Sequence, residues 1–220
     1  DYKVSDLRLN KNMGFTFTVN TYKGETFDIE LGVLGEHNVY DAIAAVIATY
    51  ESGVPLPHIQ NAMKEFKHLH RRQEIVGEAN GAVIMTDYGH HPTEISNTLK
   101  ALRYRADDRL ICVFQPHTFS RTKRLMDEFA ACFDLADMTI VTDIYAAREN
   151  FDPTVHSEDL VAKMKERGVN VKYIGTFEEA KQWLLQEIKE GDLVLTTGCG
   201  NPDVLARMLV MDDEEAYKAH

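Results

Sequence analysis

The chain has 220 residues, 44% hydrophobic and 27% charged, which is apolar material enough for one large globular domain or two small ones. A formal net charge of −11 argues against nucleic-acid binding through a basic face, which needs clustered Lys and Arg. The basic residues are scattered, apart from Arg71-Arg72 and the group Arg121, Lys123, Arg124, local clusters suited to small anions. Cys112, Cys132 and Cys199 are far apart with no CxxC spacing, which weighs against a disulfide framework or thiolate zinc site and fits a reducing cytoplasm. No apolar run is long enough to span a membrane, and no signal-peptide pattern opens the chain. The abrupt start, DYKVSDLRLN, reads as a piece cut from something longer.

Residues 15–19 and 26–31 alternate apolar and polar around Lys23-Gly24, predicting a β-hairpin with one buried face. Residues 32–38 are expected to form a loop. Small and apolar residues over 39–50 predict a buried helix, which Gly53 and Pro55 end. Residues 56–66 predict a shorter helix with Ile59, Met63 and Phe66 on one face. Polarity rises and periodicity stops over 67–72, and a domain boundary is placed there, dividing 1–70 from 71–220.

Beyond it, 74–76 and 82–85 flank Asn80-Gly81, a strong hairpin signal that adds one antiparallel edge strand. Strands are then predicted over 110–114, 138–144, 171–174 and 193–197. Helices are predicted over 92–104, 121–135, 157–167, 177–188 and 202–209. This alternation implies an α/β fold with a doubly wound, mainly parallel sheet. The acidic tail after Met211 is expected to fray.

Polar and special residues follow each strand. They are Asp87, Tyr88, Gly89, His90 and His91; then Gln115 to Arg121; then Asp143 to Arg148; then Thr196 to Asn201. In a doubly wound sheet these loops share one edge and converge on one crevice. His90 and His91 lack the i,i+4 spacing of a helical metal pair; a structural role, and above it a substrate hydrogen bond, rank higher. Asp87 is either a helix cap or a ligand group. Arg121 in a helix's first turn opposes the dipole, which favours an anionic ligand such as a carboxylate. The run Thr197-Gly198-Cys199-Gly200 lacks the P-loop lysine and reads as a tight turn with some ligand potential; Cys199 reads as a filler of that turn before a nucleophile. Asn38 is either a helix N-cap or, with His37, a helix-entry group for a nucleotide base. Arg71-Arg72 is either a solvated linker pair or a phosphate clamp.

Four motifs stand in order: GEHNVYDAIAA at 35–45, HRRQEIVG at 70–77, TDYGHHPTE at 86–94 and FQPHTFSRT at 114–122, with DIYAARE at 143–149 after them. Together they resemble the Mur ligase family. The resemblance implies a parent with a UDP-sugar domain, a central ATPase domain and a C-terminal Rossmann-like domain for the incoming amino acid. Residues 1–70 would be the end of the central domain, a smaller α+β remnant, and 71–220 the C-terminal domain. The implied activity is cytoplasmic, ATP- and Mg2+-dependent amide formation in peptidoglycan precursor synthesis, joining L-alanine to UDP-N-acetylmuramate through an acyl phosphate. The phosphate-binding lysine and the magnesium ligands would lie in sequence this chain lacks, so the chain is expected to be inactive alone.

Carried over by motif position, the ATP contacts would be His37, Asn38, Asp41, Arg71, Arg72 and Asp87. The amino-acid site would be Tyr88, His90, His117 and Arg121, with Arg121 on the carboxylate. Three positions depart from the family pattern. Asp41 stands where asparagine is usual; ionised, it accepts from the adenine amino group but cannot donate to N7. Thr118 stands where arginine is frequent, and Thr86 where an acid is common. The rival readings are the family's murein tripeptide recycling ligase, a stand-alone nucleotide or amino-acid binding module, and a metal-dependent hydrolase built on the histidine pair.

Overall fold

Phe17, Val19, Ile29 and Leu31 fall on every second position of two strands, and that period turns them all to one buried face. The structure, a computed structural model, describes residues 1–11, 14–67 and 69–218. It divides into two units, Asp1–His68 and Leu69–His220. His68, inside the predicted boundary stretch, and the last two residues of the tail lie outside the described residues.

The first unit is an antiparallel sheet of β1 (Lys3–Leu9), β2 (Phe15–Asn20) and β3 (Thr26–Leu31) in that order, with α1 (Glu36–Glu51) and α2 (Leu56–Glu65). Phe17, Ile29, Val39, Val46 and Ile59 share its core. The sequence pattern did not announce β1. It is exposed throughout, and an irregularity between Ser5 and Arg8, with Asp6 at φ 52°, breaks its alternation.

Helix α1 corrects two expectations. It begins at Glu36 with Gly35 as N-cap, so Asn38 lies inside the first turn and is not the cap. Its amide instead donates to the Leu34 carbonyl at 2.5 Å. The helix is also buried along one stripe only, Val39, Ala42 and Val46. Tyr40, Asp41, Ala44, Ala45 and Ala48 are exposed, because small residues fit a buried face without requiring one.

The second unit is built on six strands in the order β4-β5-β9-β6-β7-β8. These are β4 (Glu74–Ala79), β5 (Ala82–Asp87), β6 (Leu110–Phe114), β7 (Met138–Val141), β8 (Val171–Tyr173) and β9 (Leu193–Thr197). The helices are α3 (Pro92–Arg103), α4 (Phe119–Arg124), α5 (Met126–Ala130), α6 (Ser157–Glu166), α7 (Phe177–Glu187), α8 (Pro202–Met208) and α9 (Asp213–Lys218). The Asn80-Gly81 turn joins β4 and β5 antiparallel, with φ of 51° and 80°, as tight hairpin turns require. All other pairings are parallel. This is the anticipated α/β sheet with one antiparallel edge strand.

Alternation within the strands divides the core. Met85, Cys112 and Phe114 pack with Leu99, Phe129 and Leu160. Ile84, Ile111 and Val113 pack with Leu184 and Leu205. The sheet is thus covered on both sides.

Several element boundaries differ from the sequence reading; β4, for one, runs to Ala79, three residues beyond expectation. The single helix over 121–135 is two short ones that start earlier, at Phe119, and bend at Leu125 (φ −108°, ψ 23°). Hydrogen bonds still cross the bend, from Leu125 N to Arg121 O at 2.9 Å and from Phe129 N to Leu125 O at 2.8 Å. No glycine or proline marks it. Strand β7 stops at Val141, three residues short of expectation. The acidic tail forms α9 up to Lys218, held by Ala216 against Val204 and Met208 and by the Lys181–Asp213 ion pair.

Candidate functional site

Strands β5, β9, β6 and β7 are neighbours and run parallel, so the segments leaving their C-terminal ends lie side by side. The turn after β5 is organised by Asp87, which is 4% exposed. One of its oxygens accepts from the Gln73 amide at 2.9 Å and the other from the Gly89 amide at 2.7 Å. Burial pushes the Asp87 carboxyl up, and these amides oppose the rise without cancelling it.

The histidine pair separates. His91 N-caps α3, accepting from the Thr93 amide at 3.3 Å, while Glu94 accepts from the amides of His90 and His91 at 3.0 and 3.1 Å. His90 turns the other way. Its Nδ1 lies 3.0 Å from the Tyr88 carbonyl, and its ring meets Tyr88 edge-on at 5.5 Å. Among the described residues, no group of three or more His, Cys, Asp or Glu side chains is arranged to hold a metal ion.

Tyr88 is bracketed by the two neighbouring arginines, with guanidinium carbons 4.9 Å (Arg71) and 5.4 Å (Arg72) from its ring. These arginines differ sharply. Arg71, 14% exposed, gives Nη2 to the Gly200 carbonyl at 2.7 Å and forms an ion pair at 3.1 Å with Asp203, which is fully buried. It therefore clamps the loop between β9 and α8. Arg72 is exposed.

After β6 the chain passes through Thr118 at φ 64°, ψ 141°, a region that β-branched residues avoid. The neighbouring segment after β7 braces it. Thr118 N donates to Tyr145 O at 2.9 Å, and Tyr145 N donates to Pro116 O at 2.8 Å. Glu149 accepts from the Ser120 amide at 3.0 Å and from the Ser120 hydroxyl. From the first turn of α4, Arg121 is held with a buried Nη1 that has no hydrogen-bond partner. The buried Nδ1 of His117 is likewise without a partner. The His117 ring lies 5.7 Å from Tyr145 and 6.5 Å from His90. Burial, then the Arg121 and His90 charges, pull its pKa below the usual histidine value. Cys199 closes this wall. Burial pushes its thiol up, against the opposing pull of Arg121, Arg71 and Tyr88, so it is not poised as a thiolate nucleophile.

The second unit thus gathers Arg71, Arg72, Asp87, Tyr88, His90, His117 and Arg121 at one edge of its sheet. His37 and Asn38, half-buried, and Asp41, exposed, lie on the first turns of α1 in the first unit. Sequence reasoning passed over Asp203 and Glu149. The signal for Glu149 was an acid six residues after Asp143, within a quoted motif; nothing in the spacing showed that it turns toward Ser120.

Residues 71–200, more than half of the chain, match the family described as Mur ligase, glutamate ligase domain. The chain belongs to the Mur ligases. Among its relatives, the UDP-N-acetylmuramate–L-alanine ligase of Caldanaerobacter subterraneus subsp. tengcongensis is 43% identical over 202 residues, covering 91% of this chain and 44% of that protein. The crystal structure of UDP-N-acetylmuramate-alanine ligase from Thermotoga maritima shares the fold. Its TM-score is 0.80 at 22% identity, over 99% of this chain and 46% of that one. A MurF ligase from Thermotoga maritima, solved in complex with ADP, has a TM-score of 0.67 at 16% identity, over 100% and 48%. The chain spans less than half the length of these relatives.

Proposed function

We propose that this chain serves a cytoplasmic ATP-dependent ligase that joins L-alanine to UDP-N-acetylmuramate in peptidoglycan precursor synthesis, with 1–70 part of the ATPase domain and 71–220 the amino-acid-binding domain. The observation that carries the site assignment is that two of the buried nitrogens without a hydrogen-bond partner, His117 Nδ1 and Arg121 Nη1, stand four residues apart in the segment after β6. A buried cationic donor without a partner is costly, and an amino-acid carboxylate would satisfy it. The lowered pKa keeps His117 uncharged at neutral pH, so its ring accepts from the amino group beside that carboxylate. Tyr88 and His90 form the remaining wall.

In the proposed reaction, ATP phosphorylates the muramate carboxylate to an acyl phosphate. The alanine amine attacks the acyl carbon, the C–N bond forms, and the C–O bond to phosphate breaks. The amine's proton passes to His117. Holding the amine in register is the chief service of this unit. For the nucleotide, Arg72 is the exposed cation suited to phosphate, while Arg71 acts by holding Tyr88 through its ring contact. His37, Asn38 and Asp41 are assigned to the base. Asp87 is assigned to a ribose hydroxyl through the acceptor capacity left after its two amides. No residue of this chain is assigned to magnesium.

The test is an amide-forming assay on the full-length enzyme, with free L-alanine against murein tripeptide as acceptor. L-Alanine is the expected substrate, and preference for the tripeptide would favour the recycling ligase. Arg121→Ala should raise the alanine KM by roughly 10- to 100-fold, as losing the partner of a desolvated carboxylate does. An unchanged KM would remove Arg121 from the site.

A further inference from the structure

Arg121 works from a helix of 6 residues, too short to hold its own orientation. The residue before that helix, Thr118, has a backbone conformation that persists only where the surroundings over-determine it. Those surroundings are the segment after β7. The Tyr145 carbonyl takes the Thr118 amide, and the Glu149 carboxylate reaches back to take both donors of Ser120, the residue beside Arg121. Glu149 has no ion pair with Arg121, whose Nη1 stays free.

We propose that Glu149 is a positioning residue for the incoming amino acid: by tying the first turn of α4 to the segment after β7, it aims the Arg121 guanidinium at the carboxylate without neutralising it. This rests on the reading that Arg121 binds that carboxylate. The hydrogen bonds from Ser120 hold the Glu149 carboxyl below its usual range, so the tie stays ionised at neutral pH.

The experiment compares steady-state constants of the full-length ligase and its variants. Glu149→Ala should raise the alanine KM roughly 10-fold, the scale on which supporting partners of a ligand group act. The KM for ATP, the KM for the UDP-sugar and kcat at saturating alanine should stay unchanged. Glu149→Gln, which keeps the length and one acceptor oxygen, should give a smaller rise confined to the same KM. Adding Glu149→Ala to Arg121→Ala should cost nothing further, because the two residues act as one unit. If Arg121→Ala raises the alanine KM and Glu149→Ala does not, the positioning role is refuted while the carboxylate reading stands. If Arg121→Ala itself has no effect, the carboxylate reading fails and the positioning role falls with it. A parallel rise in all three KM values with a lower melting temperature would show Glu149 to be a general structural residue, and would equally overturn the proposal. Should Glu149→Ala not accumulate folded, Glu149→Gln decides, and an alanine KM equal to wild type refutes the role.

Discussion

Arg71 and Arg72 are adjacent, carry the same charge and flank the same tyrosine ring, yet they are engaged differently. Arg71 points inward to a fully buried aspartate and a loop carbonyl. Truncating it removes the charged contacts of Nη2 to the Gly200 carbonyl and to Asp203, and Arg71→Ala is expected to destabilise the second unit by about 1.5–3 kcal/mol, the usual worth of a hydrogen bond to a charged group. Arg72→Ala should shift stability by no more than about 0.5 kcal/mol, as exposed positions do. Urea unfolding of the two variants measures both, and the reverse ranking would return Arg71 to the ligand groups. His117 makes a pH prediction whose sign follows from its lowered pKa. As pH falls from neutral, the unfolded chain takes up this proton first, so stability declines from the ordinary histidine range down through the folded pKa. Below that it declines no further on this account. Replacing His117 with glutamine should flatten this part of the melting-temperature profile. An unaltered profile would mean that His117 titrates as it does in the unfolded chain.

At the scale of elements, the legible parts of the sequence were those where burial follows a pattern. Strands β2 and β3 announce themselves through alternation, helices α3, α6 and α7 through helical spacing or caps, and β6 and β9, buried at every position, through short continuous apolar runs. The misread parts lack that coupling. In β1 a bulge interrupts the alternation, the bend at Leu125 has no breaker residue, and α9 owes its place to one buried alanine and a lysine from α7. Loop geometry was least legible of all, as Gly200 shows. A Cβ there would lie 2.1 Å from Gln115 Oε1 and 3.0 Å from the Tyr145 ring. Gln115 Oε1 is the acceptor for the Asn201 amide at 2.9 Å. Gly200→Ala should therefore expel Gln115 and leave that amide without its partner, at a cost of about 1–3 kcal/mol. In a double-mutant cycle with Gln115→Ala the two losses should add to much less than their sum. Full additivity would show that the Gln115 contact is not what the methyl group displaces.

For the whole molecule, the order of strands decides what is separable. The convergence of four strand-end segments followed from β–α alternation alone, because parallel strands share one C-terminal edge. The inward turn of Arg71 and the tie from Glu149 did not, since each depends on side chains meeting across long sequence distances. The same topology makes a prediction about folding. Each apolar cluster draws its residues from a single unit: Phe17, Ile29 and Val46 in the first, Met85, Phe114 and Leu195 in the second. Residues 69–220 produced alone should thus unfold in one cooperative urea transition. Within that unit, β9 comes last in sequence but sits between β5 and β6, pairing with both and buried along its whole length. Without it, β5 and β6 have no partner toward each other and two buried sheet edges open. Residues 69–191 should accordingly show no cooperative transition, although they contain five of the six strands. A sharp transition in that shorter piece would mean that β5 and β6 pair directly, and that the closing strand adds to the sheet without being required for it.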